Sequence, residues 1–147
     1  MAVSSLMPGH LIRRLHQISS QVFAQRVKEA GFDLTPVQFA ALDSLRHHPG
    51  IDQAGLAEKV AKDKATIGAV IERLEQKGLV ERLINRHDKR ARKLTLTEEG
   101  EAQVLALIPV VEALQREILP TLSEAEYQQF IYLAAKASGI SGGGGEG

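Results

Sequence analysis

Apolar positions in the first thirty residues recur at helical spacing. Leu11, Leu15, Ile18 and Val22 form one stripe, widened by Ile12 and Phe23, which predicts a helix of at least about five turns from residue 9 to residue 30. Gly31 ends it. Thr35-Pro36-Val37-Gln38 has the form of a capping box with proline at the first helical position. The helix it opens carries Val37, Ala41, Leu42 and Leu45 and stops before Pro49-Gly50. Asp52 is placed to cap a short helix containing Leu56, Ala57 and Val60. After a tight connection at Ala61-Lys62, Asp63 is placed to cap another, with Ile67, Val70, Ile71 and Leu74 inward and Gly78 closing it.

The period then changes. Leu79 to Ile84 is rich in Leu, Val and Ile but too short for a helix, residues 85–90 are polar, and Leu94-Thr95-Leu96 alternates. This predicts two antiparallel strands joined by a basic hairpin. Thr97 is placed to cap a long helix with Glu98 and Glu99 in its first turn, as the helix dipole favours. Pro109 is expected to kink that helix, because an interior proline removes a hydrogen bond and crowds the preceding turn. Ser123-Glu124-Ala125-Glu126 is a second capping box, opening a last helix with Tyr127, Phe130, Ile131 and Ala134. Gly142, Gly144 and Gly147 satisfy G-x-G-x-x-G on paper, but no strand precedes them and no helix follows. Residues 139–147 read as a disordered tail.

Helix, tight turn, helix, then a two-stranded hairpin is the layout of a winged helix-turn-helix, whose second helix enters the major groove. The expected fold is therefore mainly α with a small β-hairpin wing. Residues 34–97 form the winged helix-turn-helix DNA-binding domain, and residues 1–33 and 98–138 form a helical dimerisation region.

Composition adds exclusions. The 147 residues are 44% hydrophobic and 24% charged, normal for a soluble globular chain, and contain no cysteine. Disulfides, thiolate zinc sites and a cysteine redox switch are excluded. No apolar run approaches the roughly 18 residues of a membrane span, and residues 1–8 lack the pattern of a signal peptide. A cytoplasmic location without membrane partners is the expectation. Net charge is zero, but its distribution is not even: residues 1–62 carry +2, residues 63–93 carry +4 and residues 94–147 carry −6. The basic segment is the one that holds the groove-facing helix and the hairpin, and that coincidence points to double-stranded DNA.

The candidate DNA-binding residues follow from this placement. Lys62, Lys64 and Thr66 stand at the N-terminal end of the groove-facing helix, where donors and the positive dipole end meet phosphates. Opposite its core face lie Ala65, Gly68, Ala69, Glu72 and Gln76. Gly68 in mid-helix costs about 0.8–1.0 kcal/mol relative to alanine. Close backbone approach to DNA and tight helix packing are equally good reasons for it. Arg86, His87, Asp88, Lys89 and Arg90 occupy the hairpin tip.

Asp88-Lys89-Arg90 followed by Leu94-Thr95-Leu96-Thr97-Glu98-Glu99-Gly100 resembles the wing motif of the MarR family (multiple-antibiotic-resistance regulators). The preceding Leu74-Glu75-Gln76-Lys77-Gly78-Leu79-Val80-Glu81-Arg82 is similar to that family's helix-to-wing junction. The resemblance implies a homodimer with intertwined terminal helices on a pseudo-palindromic operator, in most cases as a repressor. It implies that Arg90 is the wing arginine of the minor groove and that Asp88 orients the basic tip. Family members often carry a polar residue and an arginine where this chain has Gly68 and Ala69. That departure shifts base reading toward Lys64, Thr66 and Arg73 and gives DNA shape, read by the wing, a larger share.

The helix after the wing is apolar on most of its circumference, from Val104 to Leu119. A helix hydrophobic all round is buried, and a chain this short has few layers to bury it, so a second copy is expected as partner. The resemblance also implies an effector, a small aromatic carboxylate or its thioester, bound between the dimerisation helices and the DNA-binding lobe, as in regulators of aromatic-acid catabolism. Arg13 and Arg14 suit a carboxylate through their guanidinium forks, and His10 or His16 can add a hydrogen bond. Solvated helix charges or dimer salt bridges account for the same arginines.

No nucleophile elbow, phosphate loop or supported pair of catalytic carboxylates is present, so an enzyme is not expected, and no cofactor or metal is implied. Two other readings share the fold: a winged-helix module that binds protein instead of DNA, and a metal-responsive regulator using the scattered histidines, among them His47-His48 at a helix end.

Overall fold

The computed structural model describes residues 2–60, 63–84 and 92–140, with the side chains of Lys64 and Arg92 outside the description. Its elements in chain order are a short 3-10 helix Val3–Leu6, α1 Pro8–Glu29, α2 Pro36–His47, α3 Gln53–Lys59, α4 Lys64–Gln76, strands β1 Val80–Ile84 and β2 Arg92–Leu96, then α5 Glu98–Ile118 and α6 Glu124–Ala137. The molecule is mainly helical with one antiparallel hairpin, the winged helix-turn-helix arrangement.

Local chemistry explains the boundaries. Both capping boxes form: the Thr35 side chain accepts from the Gln38 amide and the Gln38 side chain accepts from the Thr35 amide, and Ser123 and Glu126 repeat the exchange. Asp52, Asp63 and Thr97 cap α3, α4 and α5 by accepting from the amides of Gly55, Thr66 and Gly100. Gly78 leaves α4 at φ +76°, a backbone conformation that glycine adopts without a side-chain clash.

The core belongs to the winged-helix lobe and the two helices that lead into it. Ile67, Ile71 and Leu74 of α4 pack with Leu42 and Leu45 of α2, Leu56 of α3, Leu79, Leu94 of β2, and Val104 and Leu107 of α5, all buried. Phe23 and Val27 join the C-terminal half of α1 to this cluster, and Phe23 meets Phe39 at 6.4 Å between ring centroids. Arg26 reinforces the α1–α5 contact through Glu117 at 2.7 Å, with Glu29 beside it at 2.8 Å. The hydrogen bond from Arg26 holds the Glu117 carboxyl below its ordinary pKa, and the guanidinium itself is pushed above its own.

Two features depart from the sequence pattern. The strand β2 begins at Arg92, earlier than the Leu94 alternation indicates, because Ile84↔Arg92 and Leu83↔Lys93 continue the register of Val80↔Leu96. The linker before α3 also reaches the sheet: the Gly50 amide donates to the Leu94 carbonyl at 2.9 Å and the Leu94 amide to the Ile51 carbonyl at 3.0 Å. Helix α5 runs from Glu98 to Ile118 with Pro109 inside it. Pro109 and Leu105, the residue whose carbonyl it leaves without a helical donor, both lie on the exposed side.

The chain ends behave differently. No residue of α6 is buried, and Ile131, Tyr132 and Leu133 are exposed, as are Val3, Leu6, Leu11 and Ile12 at the other terminus. Arg116 fixes the α5–α6 elbow by pairing with Glu124 and lying 4.1 Å over the Tyr127 ring.

Candidate nucleic-acid interface

The helix expected to face the groove is α4. Its core stripe, Ile67, Val70, Ile71 and Leu74, is buried, which turns Ala65, Ala69, Glu72 and Gln76 to the outside, all exposed. Small side chains at Ala65 and Ala69 leave the backbone of this face close to whatever the helix docks on. Glu72 and Gln76 share the face and have the reach to meet base edges, Gln76 through an amide that can donate and accept. Arg73 lies beside them, its guanidinium 3.4 Å from the Gln76 side-chain oxygen Oε1.

Gly68 is set to one side. A Cβ there would stand 3.0 Å from the side-chain amide nitrogen of Gln53 in α3, so a larger residue would have to push aside the end of that side chain.

The N-terminus of α4 holds its own anion. The Asp63 carboxylate accepts from the Thr66 amide at 2.8 Å and from the Thr66 hydroxyl at 2.9 Å. These bonds, the amide's first, hold the Asp63 carboxyl below its ordinary pKa. The hydroxyl hydrogen of Thr66 is therefore directed at Asp63 and its lone pairs remain to accept, so Thr66 suits a base donor better than a phosphate. Lys64 is the first residue of α4. Lys62, and the tip residues Arg86, His87, Asp88, Lys89 and Arg90, lie outside the described residues. The strands that carry the tip are anchored by Val80 and Leu94 in the core, and Arg82 of β1 pairs with Glu75 of α4 at 3.0 Å.

A second concavity, of about 680 Å³, lies between α1, the end of α5 and α6. It is mainly apolar, with Ile12, Leu15 and Phe130 in its wall, and His16, Gln115 and Tyr127 supply polar groups. Of the four candidate effector ligands only His16 lines it, with Nε2 3.5 Å from the Ser20 hydroxyl. Arg13 and Arg14 are exposed on other faces of α1, and His10 is half-buried one turn earlier. Gln115 and Tyr127 were not singled out as polar groups by the sequence pattern, because they come from helices far apart in the chain. His47 ends α2 with Nε2 3.9 Å from Asp43; among the described residues no three His, Asp or Glu side chains gather as a metal site would require. No helix among them is long and apolar enough to cross a membrane.

Comparison with known proteins agrees with this geometry. Residues 34–91 match the model of the MarR family. The chain is 38% identical over 104 residues to the transcriptional regulator HosA of Escherichia coli, covering 71% of this chain and 77% of HosA. It is 34% identical to the transcriptional repressor NicR of Pseudomonas putida, covering 87% and 80%. Among solved structures it is similar to Bordetella bronchiseptica BpsR, whose DNA binding is regulated by 6-hydroxynicotinic acid, with TM-score 0.84 and 31% identity over 94% of this chain and 96% of that one. It is also similar to a mutant Escherichia coli MarR complexed with operator DNA, with TM-score 0.80 and 28% identity over 93% and 98%. Winged helix, hairpin junction and whole-chain likeness converge: the chain belongs to the MarR family of transcriptional regulators.

Proposed function

We propose that the chain is a homodimeric, sequence-specific DNA-binding repressor that recognises a pseudo-palindromic operator and is released by a small aromatic carboxylate. The observation that carries the DNA reading is the outer face of α4, exposed at Ala65, Ala69, Glu72 and Gln76 and followed directly by a hairpin whose sequence is strongly basic. In this reading residues 34–97 bind DNA, with Arg90 in the minor groove beside Arg86, His87, Asp88 and Lys89. Residues 1–33 and 98–138 form the dimer.

Dimerisation is supported by apolar surface that one chain leaves uncovered. Leu6 is 72% exposed, Ile12 64% and Leu133 54%, and α1 and α6 flank an apolar groove with open space between them. Exposed apolar surface of this kind marks an interaction site, and both termini present it together. The effector class is supported by Arg13 and Arg14, exposed arginines that form no ion pair among the described residues, and by BpsR, which answers to a hydroxylated aromatic acid.

Selection of binding duplexes from a random-sequence pool tests the reading. The expected product is an inverted repeat with half-sites about 34–36 Å apart, bound more weakly as salt rises because counterions are released. Sedimentation at low micromolar concentration is expected to give twice the 16.0 kDa chain mass. Failure to enrich any duplex, or a folded monomer at that concentration, overturns the corresponding half of the proposal.

A further inference from the structure

The C-terminal end of the recognition helix α4 is gripped from both segments that lead into the terminal helices. On one side the Lys77 ammonium donates to the Asp33 carbonyl and lies 3.5 Å from the Asp33 carboxylate, in the loop that connects α1 to α2. The Lys77 side chain is only 18% exposed. On the other side Thr97, the cap of α5, makes three bonds at once. Its hydroxyl donates to the Gly78 carbonyl at 2.7 Å and accepts from the Gly100 amide at 3.0 Å, while its own amide donates to the Leu79 carbonyl at 3.0 Å. One hydroxyl thus joins the last residue of the α4 exit turn to the first turn of α5. Gly100 lets the two backbones come this close: a Cβ there would stand 2.1 Å from the Leu79 oxygen.

We infer that Lys77 and Thr97 are positioning residues that fix the angle of α4 against α1 and α5, and so make the protein selective for the spacing of its two half-sites. This rests on the DNA-binding, dimeric reading above. Neither residue lies on the outer face of α4, so neither reads bases. A rigid joint hands the separation of the two subunits to the two recognition helices unchanged, and one added or lost base pair then displaces a half-site by about 3.4 Å along the duplex. A loosened joint lets each lobe adjust, so the wrong spacing is tolerated. The phenotype is a ratio of affinities and not merely a loss of affinity.

The test uses the full chain and the operator selected from the random pool, together with versions carrying one base pair more or fewer between half-sites. The spacing penalty is the Kd on an altered operator divided by the Kd on the selected one. In Lys77→Met and Thr97→Val this penalty is expected to fall by about threefold or more, the scale of coupling between groups in one network. Thr97→Ser, which keeps the hydroxyl, is expected to restore it. Thermal melting identifies any variant that fails to fold, and Lys77→Met, which removes no cap, then decides. Both variants weakening all operators equally, with the penalty unchanged, overturns the inference while leaving DNA binding intact. A parent protein that selects no duplex overturns it together with the reading on which it rests.

Discussion

Replacing Gly100 by alanine tests the contact between Leu79, in the turn after α4, and α5 at its tightest point. Gly100 is the third residue of α5 and helical, so alanine is intrinsically favoured there by about 0.8–1.0 kcal/mol. Against that, the new methyl would stand 2.1 Å from the Leu79 carbonyl oxygen and 3.0 Å from the Leu79 carbonyl carbon, where even an attractive C–H···O contact needs about 3.3–3.6 Å. The obstacle is backbone, and that carbonyl also accepts from the Thr97 amide at 3.0 Å, so it cannot rotate away without loss. Overpacking costs about 1–3 kcal/mol and the lost hydrogen bond about 0.5–1.5 kcal/mol. With the gain in helix propensity subtracted, the net is a destabilisation of about 2 kcal/mol, or roughly 4–8 °C in melting temperature for a chain of this size. The assay is thermal unfolding followed by circular dichroism, with Gly100→Ala and parent at the same protein concentration. Gly9→Ala is the control, since nothing lies within 4 Å of a Cβ at Gly9, and it is expected to match or slightly exceed the parent. A Gly100→Ala protein that melts at or above the parent temperature refutes the account of the joint.

Three further outcomes are expected. Arg90→Ala weakens operator binding by about 1–3 kcal/mol at matched salt, the scale of one good specific contact; unchanged affinity in an intact dimer removes Arg90 from the minor groove. Arg13→Ala and Arg14→Ala each retain operator binding, and at least one loses the response to benzoates, hydroxycinnamates or their thioesters in calorimetric titration with DNA release; two variants that respond like the parent exclude both arginines from the effector site. Asp63, Glu117 and Glu124 all have carboxyls held below their ordinary pKa by hydrogen bonds, from Thr66, Arg26 and Arg116 respectively. Their contribution to stability is complete above the unfolded carboxylate range of about pH 4 and is lost as pH falls through the lower folded values, so urea midpoints decline on acidification below that range and Asp63→Asn flattens part of the decline; an unaltered acid profile in that variant shows the cap to be inert.

The sequence pattern was most informative where a local rule and the tertiary fold agree. Thr35 and Ser123 cap as their spacing requires, Gly78 takes the positive φ that ends α4, and Ile67, Ile71 and Leu74 face the core, which sets the exposed face of the recognition helix by subtraction. Features that depend on partners distant in the chain were not legible. Nothing local in Ile51 indicates that its carbonyl meets β2, and the polar Arg92 and Lys93 carry no strand signature, being paired only because Ile84 and Leu83 lie opposite. The Asp63 cap follows from spacing, but that its second oxygen takes the Thr66 hydroxyl depends on side-chain rotamers that spacing does not fix. For Arg13 and Arg14 the helical period places both on α1, but which side of α1 the groove occupies is decided by α5 and α6, and His16 is the candidate found there. Beside Gly68 stands the end of Gln53, a residue whose nearness to α4 no spacing rule encodes.

The bonds from Gly50 and Ile51 to Leu94 give the wing an origin independent of its end. Strand β2 is flanked by β1 on one side and by this strap on the other, so along this stretch it offers no free edge to a neighbouring molecule. Residues 85–91 can then vary in length and composition over evolutionary time without opening the sheet, because Val80, Leu94 and the strap keep the base seated in the core. If the tip contacts DNA as proposed, its contacts can be rewritten on a foundation that does not have to be redesigned each time.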